Sequence, residues 1–196
     1  ARAMALGNAI ISAQNEGFNA FSNPALLASV KKREIGLTQF SLSLDRFVQV
    51  FSLSQSINDD AGVSLSFFNS GVKGIVGKDF SNQLTGEFDS NEGFIMLSAG
   101  ADINDKLNLG LNVKTIFTSI DKYSANGISV DFGLIYNFNS KLLIGLKMTD
   151  LLSKYTWDGL DDSSSSFEED MPTTNSIGFH FSPSSDIETF YNLEHY

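Results

Sequence analysis

The sequence predicts an all-β protein, an antiparallel up-and-down transmembrane β-barrel with a short N-terminal helical plug, and three observations carry that expectation. The first is period-two alternation. Leu107, Leu109, Leu111 and Val113 share one parity against Asn108, Gly110, Asn112 and Lys114, and alternation of this length marks a strand with two unlike faces. The second is the chemistry of the polar parity, which is Gly, Ser and Asn in place of Lys and Glu. A soluble sheet facing water carries roughly a quarter to a third charged residues there. The inverted sheet accounts for the difference: small polar residues line a confined interior, and aliphatic and aromatic residues face lipid. The third is hydropathy. The 196 residues are 42% hydrophobic with a mean hydropathy of −0.03, and no run approaches the about 18 apolar residues of a helical span.

Residues 1–34 form the expected plug. Ala1 to Val30 shows no period-two pattern, and Ser22-Asn23 places capping side chains before Pro24, Ala25, Leu26, Leu27 and Ala28. Proline at the first helical position after a capping residue predicts a short helix, whose Leu26 and Leu27 need apolar contacts inside the barrel mouth.

The barrel segment, 35–196, divides into nine expected strands at 35–44, 46–57, 61–72, 92–103, 107–119, 127–138, 142–150, 174–182 and 186–196. Turn formers at Asn58-Asp59-Asp60, Asn104-Asp105-Lys106, Asn139-Ser140-Lys141 and Pro183-Ser184-Ser185 make tight connections. The intervening stretches 73–91, 120–126 and 151–173 read as long outer loops, the asymmetry of outer-membrane barrels with short periplasmic turns. An odd strand count leaves two open edges, so an incomplete barrel is expected. Glycines at 62, 100, 110, 127, 133, 145 and 178 all fall on the interior parity, as a crowded lumen requires.

Ala1-Arg2-Ala3-Met4-Ala5-Leu6-Gly7-Asn8-Ala9, followed after a spacer by Asn23-Pro24-Ala25-Leu26-Leu27, resembles the N-terminal signature of the PorV/PorQ family of outer-membrane proteins, within the FadL-like barrel superfamily. Gly127 to Tyr136 and Met171-Pro172-Thr173-Thr174 extend the likeness, while Asn8 and Gln14-Asn15-Glu16 depart from the family's usual glycine and paired aspartates. The resemblance implies a barrel of about fourteen strands, about five more than are found here. It also implies a hatch containing Asn23, Pro24 and Ala25, and a Gram-negative outer-membrane location. PorV and PorQ serve the type IX secretion system, which would make secretion proteins and exported cargo the partners.

Interior charges are few. A register placing Val113 beside Phe132 sets Lys114 opposite Asp131, with Lys147 approaching from the other side, an expected cation–anion–cation lumen cluster. Phe68, Phe94, Met96 and Ile135 are apolar residues on the otherwise polar parity and form a candidate greasy pocket. Asp158, Asp161, Asp162, Glu168, Glu169 and Asp170 supply much of the net charge of −10; a solvated loop is expected, with divalent-cation binding the sharper alternative. That charge disfavours nucleic acid as a partner.

No cysteine is present, and His180 and His195 have no ligand spacing, so no metal, cofactor or catalytic machinery is expected. Tyr155 and Trp157 read as an interfacial aromatic pair. Two functional readings stay open: a docking scaffold for exported proteins, or a FadL-like transporter of hydrophobic small molecules. A soluble β-sandwich binding domain is the third.

Overall fold

The computed structural model describes residues 5–6, 8–14, 17–158, 166–184 and 187–195. One antiparallel sheet of ten strands dominates: β1 (Glu34–Leu42), β2 (Arg46–Asn58), β3 (Ala61–Lys78), β4 (Leu84–Asn104), β5 (Leu107–Ile120), β6 (Tyr123–Asn139), β7 (Leu142–Asp158), β8 (Phe167–Asp170), β9 (Thr174–Ser184) and β10 (Ile187–His195). Strands follow in sequence order from β1 to β7, then β9 and β10; among the described residues β8 pairs with the far end of β7 alone. Among the described residues β1 and β10 do not pair, and the sheet is open.

The faces lie as the alternation requires. Ser52, Ser54, Ser64, Ser66, Asn112 and Ser129 are buried inside the curve of the sheet. Leu37, Ile95, Leu97, Leu111 and Ile128 are exposed outside it. The buried serines of β2 and β3 satisfy one another, Ser52 Oγ lying 2.9 Å from Ser66 Oγ and Ser54 Oγ donating to Ser64 Oγ at 3.1 Å. Placing the hydroxyls on paired strands lets the interior be polar without charge.

Strand lengths differ from the sequence expectation at one end only. The short turns around 59, 105 and 140 stand where turn chemistry puts them. At the opposite end, the stretches read as loops continue the ladder: β3 and β4 stay paired from Ala61↔Ala101 to Lys78↔Leu84. β5 and β6 reach Ile120↔Tyr123 across a two-residue turn, and β8 occupies part of 151–173. Hairpin pairing needs only backbone partners, so it persists after the apolar alternation that marks a membrane strand has ended.

Two short helices lie between residues 19 and 29, just ahead of the sheet. α1 (Asn19–Ser22) is a single turn, and Pro24–Ser29 is a 3-10 helix, tighter than the α-helix its propensities suggested. Asn23 caps it, its Oδ1 accepting from Ala25 N at 3.1 Å. Pro24, Ala25, Leu26, Leu27 and Ala28 are all buried.

Candidate functional site in the plugged lumen

The wall receives the plug on a row of glycines. Gly62, Gly100, Gly110 and Gly133 stand directly opposite one another across β3, β4, β5 and β6, and Gly145 faces Gly178 across β7 and β9. A Cβ at Gly110 would overlap the Pro24–Ala25 peptide, one at Gly100 the Pro24 carbonyl, one at Gly62 the Leu27 carbonyl and one at Gly133 the Asn23 amide. At Gly145 it would come 2.9 Å from the Ile11 carbonyl oxygen. The 3-10 helix therefore lies backbone-to-backbone on the sheet, a contact that no other residue type permits. Gly127 lacks its Cβ for a different reason: the Lys154 carbonyl of the neighbouring strand occupies that space.

Three polar side chains hold the plug by its backbone or hold the backbone from the plug. Asn23 Nδ2 donates to Ile11 O at 3.1 Å within the plug, and to Leu134 O at 3.3 Å and Leu146 O at 3.1 Å on β6 and β7. Asn112 Nδ2 donates to Ala20 O at 3.2 Å, and Lys147 Nζ to Phe21 O at 2.7 Å. The last two satisfy carbonyls at the end of α1 that the helix itself cannot.

Lys114 and Asp131 meet, with Nζ 2.7 Å from Oδ1, but not in the register expected. Val113 pairs with Val130, two residues from Phe132, so Lys114 stands opposite Ser129 and reaches Asp131 diagonally. Its second partner is Asp150, 2.6 Å from Nζ. Ser129 Oγ donates to Asp150 Oδ1 at 2.8 Å, Asp150 N to Asp131 Oδ1 at 3.1 Å, and Asn112 Nδ2 to Asp131 Oδ2 at 2.9 Å. The ion-paired cluster is thus anion–cation–anion, and Lys147 spends its proton donor on the plug. Counting Lys147, the layer holds two cations and two anions, which is how so much charge stands inside the wall without a net charge to desolvate.

Asp150 escaped the sequence reading because its parity puts it with Met148, toward lipid. Register shifts between Ile128/Val130 and Val130/Phe132 insert extra residues into β7, and Asp150 and Leu152 adopt φ of 60° and 56°. Such bulges re-aim a side chain. The signal was present in Asp150-Leu151-Leu152, where alternation fails and strict parity would leave a carboxylate in hydrocarbon.

The four apolar residues expected to form one pocket are divided by the plug. Phe68 and Phe94 stack at 5.3 Å and line a cavity of about 210 Å³ with Ile116, Tyr155, Lys114 and Asp150. Glu92, Gly93 and Met171 complete its lining, and Phe21 of α1 packs behind Phe94 at 6.0 Å between ring centroids. Met96 packs in the wall of that side against Leu27, Val30 and Ala20. Ile135 lies on the other side, against Ala25, Leu26 and Leu143, and lines a separate cavity of about 420 Å³. Tyr155 faces the lumen pocket instead of an interface, and Trp157 Nε1 donates to Glu169 Oε2 at 2.8 Å on β8. Asp161 and Asp162 of the acidic stretch lie outside the described residues; Glu168 and Asp170 pair with Lys154 at 3.2 and 3.6 Å. Among the described residues no group of three or more His, Cys, Asp or Glu could hold a metal ion.

Two solved structures share this architecture. The chain superposes on the CymD monoaromatic hydrocarbon channel with a TM-score of 0.66 at 13% identity, over 98% of its own length and 67% of that chain. The chain has the fold of an outer-membrane β-barrel. Its likeness to OmpT, an outer membrane protein of Vibrio cholerae, has a TM-score of 0.52 at 9% identity and covers 94% of this chain and 61% of that one. The chain thus spans about two thirds of the length of the barrels it matches. No family model matches it and no curated protein does. The matches carry the barrel, and the PorV/PorQ resemblance gains nothing from them beyond it.

Proposed function

We propose that this chain forms wall and plug of an outer-membrane channel for hydrophobic small molecules, the transport reading of the sequence. The observation that carries it is the pocket directly beyond the plug, walled by stacked Phe68 and Phe94, with Phe21 of the plug packed against Phe94. Phe21 in turn packs on Phe18, so plug aromatics buttress the wall of the pocket. Its volume of about 210 Å³ has room for a single ring, with Phe68, Phe94 and Ile116 offering apolar contact and Glu92, Lys114 and Asp150 a polar side. The similarity of fold to a channel for monoaromatic hydrocarbons supports the same reading. On this reading the short-turn end faces the periplasm and the exposed Leu, Ile and Phe rows face outer-membrane lipid.

Binding of fluorobenzene to the protein in lipid nanodiscs, followed by ¹⁹F NMR, tests the proposal. Met171 lies on the β8–β9 connection and lines the pocket. Met171→Trp should fill the pocket and abolish the broadened bound signal without unfolding the sheet. Unchanged binding in that variant, or none in the parent protein, refutes the reading.

A further inference from the structure

The plug separates two chambers, and only one of them is used by the reading above. Along β5 the separation is explicit: Gly110 and Asn112 touch the plug, Lys114 lines the outer pocket and Asn108 lines the inner cavity. Six residues of strand put about 20 Å between those two positions. The inner chamber, at about 420 Å³, is twice the volume of the outer one and falls within the size range of small-molecule sites.

Its lining is selective. Leu26 of the plug, Ile135 and Leu143 give an apolar wall, and the His180 ring stacks on Phe190 at 4.4 Å. The side-chain amides of Asn108 and Asn137 face the same space, and among the described residues neither makes a hydrogen bond. Among the described residues no lysine or arginine lines it, and the titratable ones that do are His180 and Glu188, 3.9 Å apart. An anion would meet Glu188 with no fixed cation to offset it. A pure hydrocarbon would leave both amides dry and unpaired, a loss for each.

We infer that the inner chamber is a second binding site, for an uncharged and mostly apolar small molecule carrying one or two hydrogen-bonding groups, of the size of a substituted phenol. The inference rests on the transport reading only for how the ligand arrives, because occupancy of the chamber is measured without passage. Outer and inner sites then differ in chemistry: the first has stacked rings over a charge cluster whose members are already paired, and the second offers open amides.

4-Fluorophenol and fluorobenzene, each titrated into the protein in nanodiscs and observed by ¹⁹F NMR, separate the two sites. Asn108→Trp should fill the inner chamber, removing the phenol's preference over fluorobenzene while leaving fluorobenzene binding intact. Asn137→Ala, which adds no bulk, should weaken 4-fluorophenol about fivefold, the loss of one hydrogen bond, and leave fluorobenzene unchanged. Equal affinity of the two probes in the parent protein, or 4-fluorophenol binding unaffected by both substitutions, overturns the inference. Failure of the transport reading looks different: fluorobenzene binding is then absent or indifferent to Met171→Trp, while the phenol still responds to Asn108→Trp.

Discussion

The same strands make two unlike walls along their length. Beside the plug, Gly62, Gly100, Gly110 and Gly145 leave room that plug backbone fills, and Asn23 and Asn112 tie plug and wall together by hydrogen bonds. At the far end of β3 and β4, Gly74 and Gly86 have open space around them, with φ of 63° and 130°. Glycine in the first zone is a packing requirement; in the second it is a backbone conformation. The lesson is that strand continuity does not imply a continuous role. One zone is an interior built against a specific occupant, and the other is a hairpin held by its own ladder.

Substitutions at these glycines give the largest expected contrast. Gly110→Leu should expel the plug, with a loss of more than about 4 kcal/mol, read as a collapsed unfolding midpoint and as protease cleavage within residues 5–30. Gly74→Ala should cost only about 1 kcal/mol, the penalty of a left-handed conformation. Comparable losses at the two positions would erase the distinction.

The charge layer comes next. Lys114→Met leaves Asp131 and Asp150 facing each other, and loss of one member of a buried ion pair costs about 3–5 kcal/mol, measurable by denaturant unfolding in lipid vesicles. Asp131→Asn and Asp150→Asn added to Lys114→Met should recover much of it, since the remaining groups are neutral. A triple variant no better than the single one would show that the layer serves the plug through geometry and not charge.

Leu111→Arg should cost about 2–4 kcal/mol if the residue lies at mid-bilayer. At the far end of the same strand and on the same face, Ser119→Arg should change stability by less than about 0.5 kcal/mol. By parity alone, replacing the interior Asn112 should be milder than replacing Leu111. The structure raises its cost, because Asn112→Ala leaves Asp131 Oδ2 and Ala20 O each short of a donor, about 1–3 kcal/mol.

The smallest effect belongs to β8. The hydrogen bond and charge of Glu168, with Asp170, push the exposed Lys154 ammonium above its ordinary range. A raised folded-state value means that any contribution is complete at neutral pH and fades only as pH rises through that value. Trp157 fluorescence should therefore be flat across neutral pH, and Lys154→Ala should leave the unfolding midpoint unchanged, as expected of an exposed pair.

Much of this was readable before any coordinates. Alternation in Leu107–Lys114 and Gly127–Phe138 assigns faces, because each side chain's direction is set by parity alone; turn residues such as Asn104-Asp105-Lys106 set the chain reversals. Asn23-Pro24 announced a helix start because capping is local chemistry. Legibility failed where parity failed: the bulge that turns Asp150 inward leaves only a weak trace in Asp150-Leu151-Leu152. Far-end pairing of β3 with β4 left none, since ladders bind backbone and are indifferent to side chains.

By itself, then, the sequence determined which surface of the sheet is enclosed and which is left outside, where the chain turns and that a capped turn precedes the strands, all consequences of interactions within a few residues. Tertiary structure alone decided that Gly62, Gly100, Gly110 and Gly133 align into one seat, that Lys114 takes Asp150 as its second partner, and that Phe94 and Ile135 look into separate chambers. Those outcomes depend on strand register and on the path of the plug, and both are settled by contacts between residues roughly a hundred positions apart, whose free energy no local stretch of chain contains.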